Sequence, residues 1–313
     1  MTSVGDGSFG DCTSLTSANL GAGVASLGKA AFYNCSALTN VQIPATMQTV
    51  GSQAFYGCSA MSQPNFADYE TLCGISFADP TSNPASLAHR LFVDGSEVTN
   101  AIIPDGIAKI GDFSFCGVTA LQSVTLPATL DSIGDYSFAY CPALTTVQFP
   151  DNLKSIGRGA FCYCSGLTSA DLPNGLANIG YHAFGACENL QQVSLPSSIA
   201  ALGELSFEQC NALNDVFCYS VSVPDASDAF LNSSIKSATL HVPAAAIDSY
   251  RAAATWRSFA RIVAIDTADG INEVNGNVNG KPANRVCYDL AGRRISTPVR
   301  GLNIINGRKV LVK

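Results

Sequence analysis

One pattern of hydrophobic and polar residues recurs every 23 positions from the start of the chain to about residue 240. In the copy at 121–143, the alternating run Leu-Gln-Ser-Val-Thr-Leu leads into Pro127, and Gly134 precedes Ser-Phe-Ala-Tyr-Cys. Alternation predicts a half-buried strand, and proline ends it because proline has no N–H donor. A fixed period of this size predicts a solenoid, since one coil cannot bury its own hydrophobic side.

The second half of each repeat predicts a corner and a return. Gly134 favours a turn that a Cβ would hinder, and Leu130 and Ile133 add a second hydrophobic contact before it. We interpret Ser-Phe-x-x-Cys as one helical turn with its phenylalanine inside. That phenylalanine forms two unbroken series, Phe9, Phe32, Phe55 and Phe115, Phe138, Phe161, Phe184, Phe207, Phe230.

The period breaks once, between Phe55 and Phe115, where 115 − 55 = 60 is not a multiple of 23. We assign the interruption to 61–97. Within it, Asp94-Gly95 between hydrophobic residues predicts a β-hairpin that rejoins the stack. Inserted loops in solenoids are often functional, but a neutral bulge is an equally good interpretation.

The fold class predicted is a mostly β repeat solenoid with short helical turns, a helical C-terminal cap and a small β-rich tail. The solenoid covers 1–237, with the insert at 61–97, and the cap covers 238–265. The last coil would be covered by a helix that presents one side made of Ile247, Tyr250, Ala254, Phe259 and Ile262. Residues 266–280, rich in glycine and asparagine, predict a linker, and 281–313 the tail. The chain begins part-way through a repeat, so we expect further sequence upstream.

Charge narrows the possible partners. Charged residues make up 13% of the chain, about half of the usual ~25%, and the net charge is −7. Residues 266–313 hold eight Lys/Arg and four Asp/Glu, whereas residues 1–265 hold nine and twenty. This negative charge argues against nucleic acid as a partner, because phosphate backbones need clustered Lys and Arg, and we predict no nucleic-acid binding. The sequence contains no run of 18 hydrophobic residues, so we predict no transmembrane segment in it.

Seven of the twelve cysteines share one repeat position, three residues after the phenylalanine. Two interpretations stand: a column of buried thiols, or disulfides between successive coils, for which parallel Cβ vectors are poorly aimed. A metal site at Cys162-x-Cys164 lacks a second pair and a neighbouring histidine. We therefore predict no metal ligand and no cofactor.

Catalytic chemistry has little support in the sequence. The histidines are His89, His182 and His241, and none shares a recognisable motif with a serine or cysteine nucleophile. There is no glycine-rich phosphate loop. We predict that the protein is not an enzyme and has no catalytic residues.

The outward strand positions are the remaining candidates for recognition. Fourteen such positions in seven repeats carry one charge, Asp171, and are otherwise almost all Ser, Thr, Asn or Gln. This predicts a long hydrogen-bonding face suited to extended contacts with a protein or glycan; alternatively, polar residues only keep the sheet soluble. The candidate binding residues are Gln42, Asn100, Ser123, Thr125, Thr146, Gln148, Asp171, Gln192 and Ser194.

The repeat Leu-x-x-Val-x-Leu-Pro-x-x-Leu-x-x-Ile-Gly-x-x-Ala-Phe-x-x-Cys resembles the BspA-like leucine-rich repeats of bacterial surface proteins, over 4–60 and 98–212. The hairpin insert and the 238–265 cap are similar to those of that family. The tail resembles that of exported Bacteroidetes proteins. The resemblance implies a cell-surface or extracellular protein that adheres to host or bacterial surface proteins; glycan binding and a structural stalk are the alternatives.

Overall fold

The computed structural model describes residues 1–265 and, beyond them, five strands between residues 271 and 312. Residues 1–265 form stacked coils, each of which contributes strands to parallel sheets that run along the stack.

The first strand of each coil is three to five residues long. Parallel pairing joins these strands into three sheets, of which a hairpin ends the first and a cap strand ends the third. The strands are Ser17–Asn19, Asn40–Ile43, Gln63–Phe66; Asn100–Ile102, Ser123–Thr125, Thr146–Gln148; and Ser169–Asp171, Gln192–Leu195, Asp215–Cys218, Thr239–Pro243.

A second, two-residue strand follows in most coils, whereas the sequence predicted one strand per coil. A two-residue strand is too short to show alternating hydrophobic and polar positions. The sequence therefore indicated only that its isoleucine, or the equivalent residue, is buried. These strands form two parallel sheets: Ser3–Val4, Ser26–Leu27, Thr49–Val50, Ser76–Phe77; and Lys109–Ile110, Ser132–Ile133, Ser155–Ile156, Asn178–Ile179.

The register confirms the 23-residue period. Ser123 pairs with Thr146, and Val124 pairs with Val147, one period later. Val124 and Leu126 are buried while Thr125 is exposed, so the predicted inward and outward positions are correct. Hydrophobic burial therefore fixes the register, because a slip of one residue would expose the whole inward set.

The glycine at each corner has a different role from the one predicted. Gly134 and Gly180 are not among the residues with positive φ. Instead, a Cβ on Gly180 would come within 2.5 Å of the carbonyl carbon of Gly157, and one on Gly134 within 2.8 Å of the Ile110 oxygen. Glycine is needed there because successive coils approach each other backbone to backbone.

The return segment is not the predicted helical turn. Tyr136 and Tyr140 both have left-handed backbone conformations, with φ of 53° and 58°. Backbone N–H groups of Tyr136, Phe138 and Tyr140 donate to carbonyls of the next coil at 2.7–2.8 Å. A helix would direct these donors within the segment, so the coils are joined here only because the helix does not form.

The phenylalanines point inward as predicted and stack from coil to coil. The rings of Phe115 and Phe138 are 4.9 Å apart, and those of Phe138 and Phe161 are 5.2 Å apart. The series continues to Phe230 at similar spacing. These parallel rings form the centre of the hydrophobic core.

The shared cysteine position forms a column of free, buried thiols, apart from Cys12, which is exposed at the N-terminal end. This confirms the buried-thiol interpretation over disulfides for the described residues. Burial raises the pKa of Cys58 and of Cys210 to about 12, so these thiols stay protonated at neutral pH.

The insert adds two short helices and the predicted hairpin. Helix α1 (Tyr69–Gly74) and helix α2 (Pro84–Ala88) begin at Asp68 and Asn83, whose side chains accept from backbone N–H groups, and a 3₁₀ helix, Pro80–Ser82, lies between them. The hairpin, Phe92–Val93 and Ser96–Glu97, turns at Asp94 and Gly95 and pairs with Gln63–Phe66. The hairpin prediction is therefore confirmed.

The cap is not one helix as predicted. It comprises helix α3 (Ile247–Ala252), 3₁₀ turns at Ala244–Ala246 and Trp256–Ser258, and the strand Arg261–Ile265. A further 3₁₀ turn, Ser234–Lys236, precedes the cap. Tyr250 and Phe259 are buried, but Ala254 is exposed and Ile262 lies on the final strand. The chain turns back after α3, so that Trp256 covers Phe230, the last ring of the stack.

The tail contains a five-stranded sheet: Ile271–Val274, Cys287–Tyr288, Arg294–Ile295, Gly301–Ile305 and Arg308–Val312. The first strand lies within the predicted linker, 266–280, so that part of the prediction is wrong: 271–274 pairs along its whole length with 309–312. The rest of 266–280 lies outside the described residues.

Candidate functional site

All nine candidate residues lie on first strands with side chains on the outward face. Gln42, Ser123, Gln192 and Ser194 are half-buried, and the other five are exposed. The sheets divide them into three groups. The first sheet contains Gln42. The second contains Asn100, Ser123 and Thr146 in successive coils, with Thr125 and Gln148 beside them. The third contains Asp171, Gln192 and Ser194.

Parallel in-register pairing brings equivalent side chains of neighbouring coils into hydrogen-bonding distance. The Ser123 hydroxyl donates to Asn100 Oδ1 at 2.7 Å. The Ser194 hydroxyl donates to Asp171 Oδ1 at the same distance. Such bonds hold the polar groups in fixed positions before any ligand arrives, which lowers the entropy cost of binding.

Gln42 belongs to a separate amide network. Its Oε1 accepts from Asn65 Nδ2 at 2.7 Å, and its Nε2 donates to Asn40 Oδ1 at 2.9 Å. Asn65 Oδ1 in turn accepts from the backbone N–H of Gly95, at the turn of the hairpin. The hairpin is thereby joined to the polar face of the first sheet.

Sequence reasoning missed the C-terminal end of the same face. Phe217 is in register with Ser194 and with His241, whose ring stacks on it at 4.2 Å. His241 Nε2 lies 2.8 Å from an oxygen of Asp215. Asp215 and Phe217 lie one period after the candidates Gln192 and Ser194, so the repeat alone could have placed both residues on this face. The mostly polar face thus ends in an aromatic and charged patch.

Tyr219 borders this patch. Its side chain is exposed, and partial burial together with the nearby charge of Asp171 raises the pKa of its hydroxyl. A phenol that stays neutral remains a hydrogen-bond donor in this acidic surrounding.

The insert creates an acidic groove beside Asn100. This groove has a volume of about 590 Å³ and lies between α1 and the hairpin. Four of its lining residues carry carboxylates, Asp68, Glu70, Asp94 and Glu97. Glu97 accepts two hydrogen bonds from Arg90, at 2.6 and 2.7 Å, and these lower the pKa of the Glu97 carboxyl.

A second groove lies where the insert meets the return segments. We call it the tyrosine groove; its volume is about 480 Å³, and it is lined by Pro80, Ser86, His89, Cys116, Gly117, Thr119, Tyr140, Pro142 and Tyr163. The rings of Tyr140 and Tyr163 are parallel and 4.7 Å apart. Both are about half exposed, at 51% and 45%.

Although the tyrosine groove contains a cysteine and a histidine, their geometry does not suit nucleophilic catalysis. Burial raises the pKa of Cys116 to about 11, whereas catalytic thiols have lowered pKa values. His89 Nδ1 lies 3.2 Å from the carbonyl oxygen of Gly117, so the proton of a neutral imidazole is held on that nitrogen. A buried thiol that stays protonated is a poor nucleophile, so Cys116 lacks the activation that a catalytic Cys–His pair needs.

Within the described residues, no cluster of three or more His, Cys, Asp or Glu side chains is arranged to hold a metal ion. None of the helices in that part of the chain has the length and hydrophobicity needed to cross a bilayer.

The repeat decides the family. A model of the BspA type leucine-rich repeat region matches six copies, at residues 1–80, 85–214 and 131–254. The chain belongs to the BspA-type leucine-rich repeat family. The match covers the stacked coils and most of the cap. A comparison with curated protein sequences gives no significant match.

This chain is similar to solved structures of bacterial leucine-rich repeat proteins. The pneumococcal vaccine antigen PcpA has a TM-score of 0.60 at 16% identity, over 85% of this chain and 72% of PcpA. A leucine-rich repeat protein from Bacteroides ovatus is 22% identical over 87% of this chain and 72% of its own, with a TM-score of 0.47. A leucine-rich cell surface protein from Faecalibacterium prausnitzii is 22% identical over 86% and 84%, with a TM-score of 0.42.

Proposed function

We propose that this BspA-type repeat protein is a non-enzymatic recognition module of the cell surface or extracellular space, which adheres to partner proteins through its outward strand face. The observation that carries the proposal is the fixed arrangement of uncharged polar groups from coil to coil, such as Ser123 on Asn100. A positioned set of donors and acceptors supports specific contacts over several coils.

The proposed partners are host or bacterial surface proteins. With one charge among the fourteen outward positions of seven repeats, long-range steering is weak and association is expected to be slow. The acidic groove beside Asn100 adds a place for a basic side chain of the partner. Family membership supports a surface location.

Glycan binding through the same face is the second candidate. The patch of Phe217, His241 and Asp215 favours it, because sugar rings stack on aromatic side chains while carboxylates accept from their hydroxyls. A structural stalk requires neither ligand. The three candidates differ in what the face binds.

The test is a panel of immobilised matrix and bacterial surface proteins beside a glycan array. The probe is the whole chain and a Thr125→Arg/Gln148→Arg variant, which places two long charged side chains on the exposed face. The matched control, Asn174→Arg/Asn211→Arg, adds the same charge at exposed positions outside the strands.

Protein binding that is lost in the face variant and kept in the control supports adhesion. Binding only on the glycan array overturns adhesion in favour of the second candidate. Silence on both panels favours the stalk. Binding that both double variants retain would remove the strand face from the proposal.

A further inference from the structure

The tyrosine groove lies where two departures from the regular repeat meet: a glycine in place of a tyrosine, and the insert that interrupts the period. The position two residues after the core phenylalanine holds Tyr140 in one coil and Tyr163 in the next, but Gly117 in the coil before them. The face of the Tyr140 ring that is not stacked on Tyr163 therefore has no side chain against it at this position.

The insert closes the other side. A Cβ on Gly117 would lie 3.1 Å from the carbonyl oxygen of Ser86 in α2, so glycine also allows α2 to approach. His89 and Thr119 are tied together by a bond from the Thr119 hydroxyl to the His89 carbonyl at 3.3 Å. Hydrogen bonds thus join the insert to the coil that contains Gly117 and fix that side of the groove.

The polar groups that remain free include two phenol hydroxyls that can donate hydrogen bonds to a ligand. The phenol hydroxyls of Tyr140 and Tyr163 make no hydrogen bond within residues 1–265, whereas Ser86 and His89 Nδ1 already contact Cys116 and Gly117. Within the part of the chain that the structure describes, no Asp, Glu, Lys or Arg lines the groove. A complementary ligand is uncharged, has a compact apolar ring and supplies carbonyl acceptors.

We propose that the tyrosine groove binds a proline in an extended, uncharged segment of a partner polypeptide, with the pyrrolidine ring on the open face of Tyr140. Such a segment has no internal hydrogen bonds, so its carbonyls are available to the two phenols. Proline brings no N–H that the groove would leave unpaired. Aromatic-lined grooves recognise polyproline II segments in this way.

A sugar fits this groove less well. Its many hydroxyl groups need hydrogen-bond partners when they are buried, and the described lining offers few free polar side chains and no carboxylate or amide. Those groups lie on the strand face. The proline site is therefore independent of the function proposed for that face.

The test is a calorimetric titration of the whole chain with a capped, neutral nine-residue proline peptide and a glycine–serine peptide of equal length. The decisive variant is Tyr140→Asn. Asparagine occupies the equivalent left-handed position at Asn34 and Asn232, with φ of 55° and 58°, so the backbone is preserved. The control is Tyr56→Asn, at an exposed stacked tyrosine outside the groove.

We expect saturable binding of the proline peptide alone, weakened at least about tenfold by Tyr140→Asn, as for an aromatic anchor of an interface. Tyr140→Phe should weaken it less, because the ring remains. Tyr56→Asn and the Thr125→Arg/Gln148→Arg variant should bind like the parent chain. Melting curves establish that each variant is folded.

Three results would overturn the proposal: no saturable binding to the parent chain, equal binding to Tyr140→Asn, or equal binding of the glycine–serine peptide. An oligosaccharide that binds the parent chain and not Tyr140→Asn, with the proline peptide silent, would assign the groove to glycans.

Discussion

The thiol of Cys164 donates a hydrogen bond to the carbonyl oxygen of Phe138, at 3.0 Å and 26 residues earlier in the chain. The bond recurs along the column, from Cys35 to Phe9 and from Cys187 to Phe161. It crosses from one coil to the previous one and satisfies a carbonyl inside the core. The shared cysteine therefore joins coils through hydrogen bonds as well as through packing.

Replacement of Cys164 by alanine should lower the free energy of unfolding by about 2 kcal/mol, because it leaves a cavity and an unpaired carbonyl. Cys164→Ser should cost less, since Ser233 occupies the same repeat position and donates to the Phe207 carbonyl. Urea denaturation measures both. Cys12→Ala, at an exposed thiol, is the control; a serine variant no better than alanine would contradict the bond's importance.

The buried thiols should make the protein sensitive to alkali. Their ordinary pKa is 9.0, and burial raises that of Cys58 and of Cys210 to about 12. Between these values the unfolded chain binds fewer protons than the folded chain, so stability falls as pH rises. Each such thiol contributes about 1.4 kcal/mol per pH unit.

Unfolding free energies measured from pH 8 to pH 11 test this. A Cys58→Ser/Cys210→Ser variant should show a shallower decline than the parent chain. Equal slopes would mean that tyrosines and lysines, rather than these thiols, govern the alkaline transition.

Gly180→Ala should destabilise the protein by about 3 kcal/mol or more, since overpacking against backbone has no soft neighbour to yield. The new Cβ would lie 2.5 Å from Gly157 and 2.6 Å from the backbone nitrogen of Arg158. Gly74→Ala is the matched control, because a Cβ there meets nothing within 4 Å. Thermal unfolding compares the two; similar melting temperatures would disprove the close approach of the coils.

Trp256 should determine whether the cap holds. Its indole N–H donates to the Pro224 carbonyl at 2.8 Å, and its ring packs edge-on against Phe230 and Tyr250. Trp256→Ala should cost about 3–5 kcal/mol, and Trp256→Phe less.

Circular dichroism during urea titration measures these losses. As the chain's single tryptophan, Trp256 should also show the blue-shifted emission of a buried indole in the parent protein. Arg257→Ala, at an exposed neighbour, should leave stability unchanged; a similar loss there would indicate that the whole segment, not the indole, is responsible.

The regular part of the fold could be predicted because its causes are local and repeated. Each regular feature of the sequence corresponds to one structural feature of every coil. Alternation around Val124 gives the strand, the proline ends it, and the constant step between phenylalanines gives the stacked core. The outward positions followed from the same alternation. The period also predicts that the strand after Ser194 places Phe217 on the same face. His241 follows Phe217 by 24 residues rather than 23, because the chain contains one extra residue between them.

Other features could not be predicted because they depend on what neighbouring coils do. The left-handed conformation of Tyr136 is unfavourable for its own residue, and it occurs because the N–H group then reaches the next coil. Gly134 looked like a turn residue in isolation, and only the distance to Ile110 shows that it serves close packing.

The sequence by itself determined the repeat, its period, the inward and outward faces, the column of thiols and the hairpin, because each is a property of one coil or of its copies. Only the tertiary structure showed where individual coils depart from the repeat to form a groove or a cap. The tyrosine groove requires α2, Gly117 and Tyr140 to meet, and the cap requires the chain to reverse so that Trp256 reaches Phe230. The contacts of α2 with the groove and of Trp256 with Phe230 join residues that the 23-residue period does not relate, and burial of the last exposed ring of the core drives the reversal.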